Sequence, residues 1–282
     1  MRTITATVCH RTPSSTTVAT AVMETTKNNN VQLLAAMVNT NGQEDGDFRF
    51  LVDGTHVKYV TVAPAILPKD HCTFGPTILA GLPPFPEGDW NTGHVDFDIA
   101  SGEPAFVRTE KATLQGVQTL WHPTRIDHLE LRKLDCPRQN ILIASHPRFD
   151  RPVLAKFTEF PELTPYLEAE TAAYQWVEGT DIAPRFLGHL TEEGRVIGFV
   201  LEYIENARAA GPGDLAACQS VLKKLHALGI KHGNINNRNF LVRDHDGTVI
   251  LLDFEMAKKD ASVDELEAEY QRLAESLQDP SL

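Results

Sequence analysis

The sequence predicts a mixed α+β chain on three observations. Two β-rich runs, Phe48–Val52 and Val57–Val62, flank Asp53-Gly54 and read as a hairpin. From Leu129 to Tyr203 the order is strand, strand, strand, helix, strand, strand. Beyond residue 214, apolar residues recur at helical spacing in two further segments.

The elements follow in chain order. Val31–Val38 fits either a strand or a helix. Thr73–Pro104 is dense in glycine and proline but also holds Phe85, Trp90 and Phe97, so it reads as a structured, irregular loop rather than a linker. Leu129–Leu134, Asn140–Ala144 and Pro152–Phe157 read as three strands. A helix follows, with Thr164 as its cap, Pro165 in its first turn and Gly179 as its stop. Strands are expected near Phe186–Leu190 and Val196–Tyr203. The next helix is capped by Asp214, ended by Gly229 and striped by Leu215, Cys218, Leu222 and Leu225. Phe240–Val242 and Val249–Asp253 are short strands around Asp246-Gly247. The last helix carries Val263, Leu266, Tyr270, Leu273 and Leu277.

Charge narrows the function classes. The 282 residues hold 26 Lys+Arg against 38 Asp+Glu, a net charge of −12, which argues against a nucleic-acid binder. Residues 260–282 alone contribute −6, with seven acids and one base. The final helix is expected to carry these charges on its wet face. Cys9, Cys72, Cys136 and Cys218 have no metal-ligand spacing and read as free thiols. Met1–Thr17 shows no apolar core of a signal peptide, and no run is long enough to span a bilayer. The expectation is a soluble, cytoplasmic protein with no membrane partner. Trp90 and Trp121 read as core aromatics, and His94, His122 and His128 as surface histidines.

The chemistry concentrates late in the chain. His232-Gly233-Asn234-Ile235-Asn236-Asn237-Arg238-Asn239 precedes Asp253-Phe254-Glu255. Lys156 ends the third of the three strands, Glu170 lies on the helix after it with Glu168 as a rival, and Leu201-Glu202-Tyr203-Ile204 follows the next two strands. An amide oxygen and a carboxylate, Asn239 and Asp253, are hard ligands suited to Mg²⁺. A lysine ammonium steadied by a helix carboxylate suits phosphate oxygens.

Taken in order and register, these motifs resemble the protein-kinase-like fold over Ile126–Lys259. The segments Pro83–Asn91, Glu168–Tyr174 and His232–Val242 also resemble an uncharacterised group of small atypical kinase-like proteins from filamentous fungi. The resemblance implies an antiparallel N-lobe sheet with one αC-type helix (about 126–204) and a truncated helical C-lobe (about 205–282). Residues 1–120 would be a β/loop-rich extension packed on a core of residues 121–282. It further implies ATP and Mg²⁺ as cofactors, with Lys156, Glu170, Glu202 and Ile204 binding nucleotide. Asn239 and Asp253 would hold metal, and Asn234 and His232 would stand at the catalytic positions.

The chain departs from that pattern in three places. Asn234 stands where the catalytic Asp is expected, and a neutral amide cannot accept a proton near neutral pH; losing a general base costs about 10²–10⁴-fold. No glycine lies between Gly116 and Gly179, so the usual Gly-rich turn over the phosphates is missing. Only 27 residues follow Glu255, with no Ala-Pro-Glu segment, which predicts a stripped C-lobe. Glu255 itself replaces a glycine. The leading expectation is a pseudokinase acting as a regulatory or scaffolding module, with a small molecule or protein as partner. The alternatives are an active atypical phosphotransferase and a kinase fold turned to non-phosphoryl chemistry on a small metabolite.

Overall fold

The computed structural model describes residues 27–39, 42–68 and 74–278. Cys9 and Cys72 lie outside them. The chain divides into two compact units, Met1–Leu114 and Gln115–Leu282.

Unit 1 is a five-stranded sheet in the order β1-β2-β3-β4-β5. Its strands are β1 (Val31–Met37), β2 (Gly46–Val52), β3 (His56–Val62), β4 (Thr92–Phe97) and β5 (Pro104–Glu110). Val31–Val38 is thus a strand, not a helix. Asp53 and Gly54 both take positive φ (54° and 69°), the backbone a tight hairpin of this twist requires. The segment expected to be an irregular loop is more regular than that. It holds α1 (Gly75–Gly81) and all of β4, which pairs parallel to β3. Glycine and proline hid these elements, but the aromatics supply the order. Phe85 packs on Phe50, Trp90 and Phe106 with ring centroids 5.1–6.0 Å apart, and Trp90 Nε1 donates to the Pro86 carbonyl at 2.9 Å.

Unit 2 carries a six-stranded sheet in the order β6-β10-β11-β9-β8-β7. These strands are β6 (Arg125–Asp127), β7 (Arg132–Arg138), β8 (Ile141–Ser145), β9 (Val153–Phe157), β10 (Phe186–Glu192) and β11 (Arg195–Glu202). The sheet is not wholly antiparallel as expected: β6 pairs parallel to β10 at one edge. Three residues carry no readable period, so this strand left no trace in the pattern. The strand expected at Leu129–Leu134 starts later, because Asp127 Oδ1 accepts from the Leu129 N–H and caps a 3₁₀ turn over His128–Glu130.

α2 (Thr164–Trp176) packs beside β11. Thr164 is its first residue rather than its cap, because a 3₁₀ turn over Pro161–Leu163 leads directly into it. The small sheet β12-β13-β14 joins β12 (Ala207–Ala209), β13 (Phe240–Arg243) and β14 (Val249–Leu251). Against it pack α3 (Leu215–Ala227) and, on α3, α4 (Val263–Ser276). Asp214 stands at the N-cap of α3, but its side chain turns back to close the preceding turn, accepting from the Gly211 N–H and pairing with Arg208, and makes no bond to the helix amides. One apolar cluster joins α2, β10, β11, α3, β13, β14 and α4 through residues such as Tyr174, Phe186, Phe199, Leu222, Phe240, Phe254 and Leu273. No helix among the described residues is long and apolar enough to cross a membrane.

Gly198 shows how tightly β11 meets β9. A Cβ there would lie 2.2 Å from the Lys156 carbonyl oxygen. Gly198→Ala is therefore expected to cost about 1–3 kcal/mol through overpacking. An unchanged thermal midpoint would show instead that the two strands separate freely.

Candidate functional site

Three elements of unit 2 converge on one lysine. Lys156 Nζ, from β9, lies 2.7 Å from Glu170 Oε2 on α2 and 2.6 Å from Asp253 Oδ1, just after β14. The side chains of Lys156 and Glu170 are 12% and 2% exposed, while Asp253 keeps 23%, so the site opens on the Asp253 side. Asp253 sits at φ 64°, a left-handed backbone that aspartate tolerates and most residues resist. Phe254 follows at 0% exposure, packed on Tyr174 and His232, and this anchors the turn.

Burial pulls the Lys156 ammonium toward neutrality, but the Glu170 and Asp253 carboxylates more than reverse this, and its pKa ends above the usual lysine value. Burial pushes the Glu170 carboxyl up to about 7, against the pull of Lys156. The causes differ: the two carboxylates keep the ammonium charged, while burial makes Glu170 hold its proton longer despite the cation beside it.

The loop Gly233–Asn239 is organised by amides. Asn239 Nδ2 donates to the Asn234 carbonyl at 2.8 Å, so the amide nitrogen faces that carbonyl and Oδ1 is the atom that could meet a cation. Asn234 Oδ1 accepts from Asn236 Nδ2 at 3.2 Å, and Asn236 Oδ1 in turn accepts from the Arg238 N–H at 3.0 Å. Leu252 N–H donates to the Asn239 carbonyl at 2.9 Å, tying the loop to the strand that delivers Asp253. His232 is fully buried: its Nε2 lies 2.9 Å from the Leu252 carbonyl, so the ring joins the two segments and does not face the opening. Gly233, at φ 81°, is required by contact as well as by backbone, since a Cβ would meet the Met256 carbonyl oxygen at 2.2 Å.

Glu202 and Ile204 lie apart from this cluster. Glu202 closes β11, with its carboxylate 3.1 Å from Arg185 Nε, and Ile204 follows in the half-buried connection to β12. The β7–β8 turn, where a Gly-rich loop is absent, is pinned instead by Gln139 Nε2 donating to Glu159 Oε2 at 2.6 Å.

Glu269 departs from the expectation that the acids of the last helix lie on its wet face. It is 1% exposed and accepts from the His232 N–H at 2.9 Å and the Gly233 N–H at 2.7 Å, with His226 Nε2 at 2.8 Å. Burial raises its pKa, but these partners outweigh burial and bring it below the ordinary value. Its spacing was the available signal: Glu269 is three residues after Leu266 and four before Leu273, inside the apolar stripe. Val263, counted in that stripe, is exposed.

Residues 209–281 match the model of the lipopolysaccharide kinase (Kdo/WaaP) family. The match takes in Asn234, Asn239, Asp253 and Glu269, and stops short of Lys156 and Glu170. It supports a kinase-like fold. A comparison with curated proteins found no match.

Two outcomes follow. Between the ordinary carboxylate range and about 7, the folded chain holds a proton on Glu170 that the unfolded chain releases, so this group's contribution to stability falls as pH rises through that window. Glu170→Gln should flatten that part of the stability–pH curve; an unaltered slope would mean the carboxylate is ionised throughout. Glu269→Ala strands the buried His232 amide and the half-buried Gly233 amide and should cost about 1–3 kcal/mol for the buried donor and less for the other, read by denaturant unfolding.

Proposed function

We propose that unit 2 is a kinase-like nucleotide module with impaired phosphotransfer, working as a regulatory or scaffolding domain. The observation that carries this is the convergence of β9, α2 and the turn after β14 on Lys156. In this reading the six-stranded sheet with α2 is the N-lobe, and α3, α4 and the small sheet are a stripped C-lobe. Lys156 holds nucleotide phosphate oxygens, and Glu170 keeps it placed. Asp253 is the more exposed of its two carboxylates, so it is the one that yields its place to phosphate.

Asn239 Oδ1 and the Asp253 carboxylate are the residues that would hold Mg²⁺. Two hard oxygens fit an ion that takes its remaining ligands from phosphate and water. Among the described residues no cluster of three or more His, Cys, Asp or Glu offers a cage without the nucleotide. When bound, the ion would neutralise charge on the phosphate oxygens. Glu202 and Ile204 would line the base end, and His232 would position the loop.

Impairment rests on Asn234. Its amide can orient a hydroxyl but cannot take the proton, and its Oδ1 is already engaged by Asn236. A second reading, an active atypical phosphotransferase, is favoured by the kinase family matched over residues 209–281. A loose transition state needs little base help, so positioning alone sustains slow transfer.

Thermal shift with ATP and Mg²⁺ tests the nucleotide reading. Saturation at a hundred times the dissociation constant should stabilise the chain by about 2.7 kcal/mol. Lys156→Met and Asp253→Asn should abolish the shift. No shift in the wild-type chain at millimolar ATP would overturn the proposal. Asn234→Asp separates the two readings: impairment predicts a gain in phosphotransfer on the order of 10²-fold or more. Robust turnover by the unaltered chain would instead establish the active enzyme.

A further inference from the structure

α2 carries two glutamates two residues apart, and they do not share a face. Glu170 meets Lys156. Glu168 points elsewhere, and its partners lie about fifty positions earlier in the chain, on the extended segment Gln115–Thr124. Glu168 Oε2 accepts from the Gln118 N–H at 2.6 Å, and Oε1 accepts from the Thr119 N–H at 2.9 Å and from the Thr119 hydroxyl. One carboxylate thus closes on two successive backbone amides, a charge-assisted arrangement stronger than neutral pairs.

The same segment is fastened to the sheet. Val117 N–H donates to the Val196 carbonyl of β11 at 2.9 Å, and Arg195 Nη1 to the Gln115 carbonyl at 2.8 Å. Its far end joins β10, where the His189 N–H donates to the Thr124 carbonyl at 3.0 Å. A second tie to the helix comes from Trp121 Nε1, which donates to the Thr171 carbonyl at 3.1 Å. Gly116 lets the segment press on β11: a Cβ there would lie 2.9 Å from the Val196 carbonyl oxygen. The segment is therefore a strap, anchored on two strands, that grips α2 on the side away from Lys156.

We propose that Glu168 is a positioning residue: through the strap it holds α2 in the register that keeps Glu170 on Lys156. The effect on nucleotide binding rests on the function proposed above; the latch itself does not.

The test uses the full chain without nucleotide. Glu168→Ala cuts the latch from the helix side. Thr119→Pro removes one amide and the hydroxyl from the strap side, and so decides the matter if the first variant fails to fold. Hydrogen–deuterium exchange should quicken about tenfold or more in α2 while β10 and β11 keep their rates. Lys156 should also become more readily acylated by an amine-reactive ester, read by mass spectrometry, because Glu170 no longer covers its amine. A purely structural role would speed exchange in the sheet and helix alike. Unchanged α2 exchange, or unchanged Lys156 acylation despite faster α2 exchange, overturns the proposal. Mg-ATP affinity is then measured on the same variants. Loss of affinity alongside a loosened α2 extends the latch to ligand binding. Absence of binding in the wild-type chain defeats the nucleotide reading, while the latch still stands or falls on exchange and acylation.

Discussion

The Lys156 ammonium is the point on which unit 2 is organised. It draws together a strand, a helix and a turn that are distant in sequence, and each had to be brought there by separate packing. A cation shared by two carboxylates is costly to bury and weak evidence of stability. Its value lies in geometry, since the charges tolerate few other arrangements once Tyr174, Phe254 and Phe199 close around them. The carboxylate left closer to solvent, Asp253, is also the one able to change partners without disturbing the core.

The neighbouring loop is built differently. Apart from the His226 contact of Glu269, it uses hydrogen bonds to main-chain groups: Glu269 on the amides of His232 and Gly233, His232 on the Leu252 carbonyl, Asn239 on the Asn234 carbonyl. These bonds specify backbone path, and they are indifferent to what stands at position 234. Asn234 therefore sits in a frame that these bonds hold without its side chain.

The meeting of Lys156, Glu170 and Asp253 was legible in the sequence because these residues come in a fixed order with fixed local signatures: a lysine at a strand end, a glutamate on the next helix and an aspartate after a hairpin. What the sequence left open were choices made by distant partners. Between Glu168 and Glu170, local pattern has no vote; the strap fifty residues earlier assigns them opposite tasks. Glu269 is hidden because a charge in an acidic run defaults to solvent, although its spacing places it in the apolar stripe. In the fold, the parallel edge strand β6 escapes for a simpler reason, being too short to show a period. Glycine and proline conceal β4, whose place is set by the aromatic contacts around Phe85.

The dependence of the Gly233–Asn239 loop on Glu269 has a consequence for the order of events in synthesis. The loop leaves the ribosome more than two dozen residues before the carboxylate that receives its amides. Until α4 follows and docks on α3, the His232 and Gly233 N–H groups have no internal acceptor. A nascent chain can thus complete its sheets and the Lys156–Glu170 pair while the neighbouring loop still samples other paths. The site is finished from its far end, and a fusion or truncation that delays α4 would leave it half assembled.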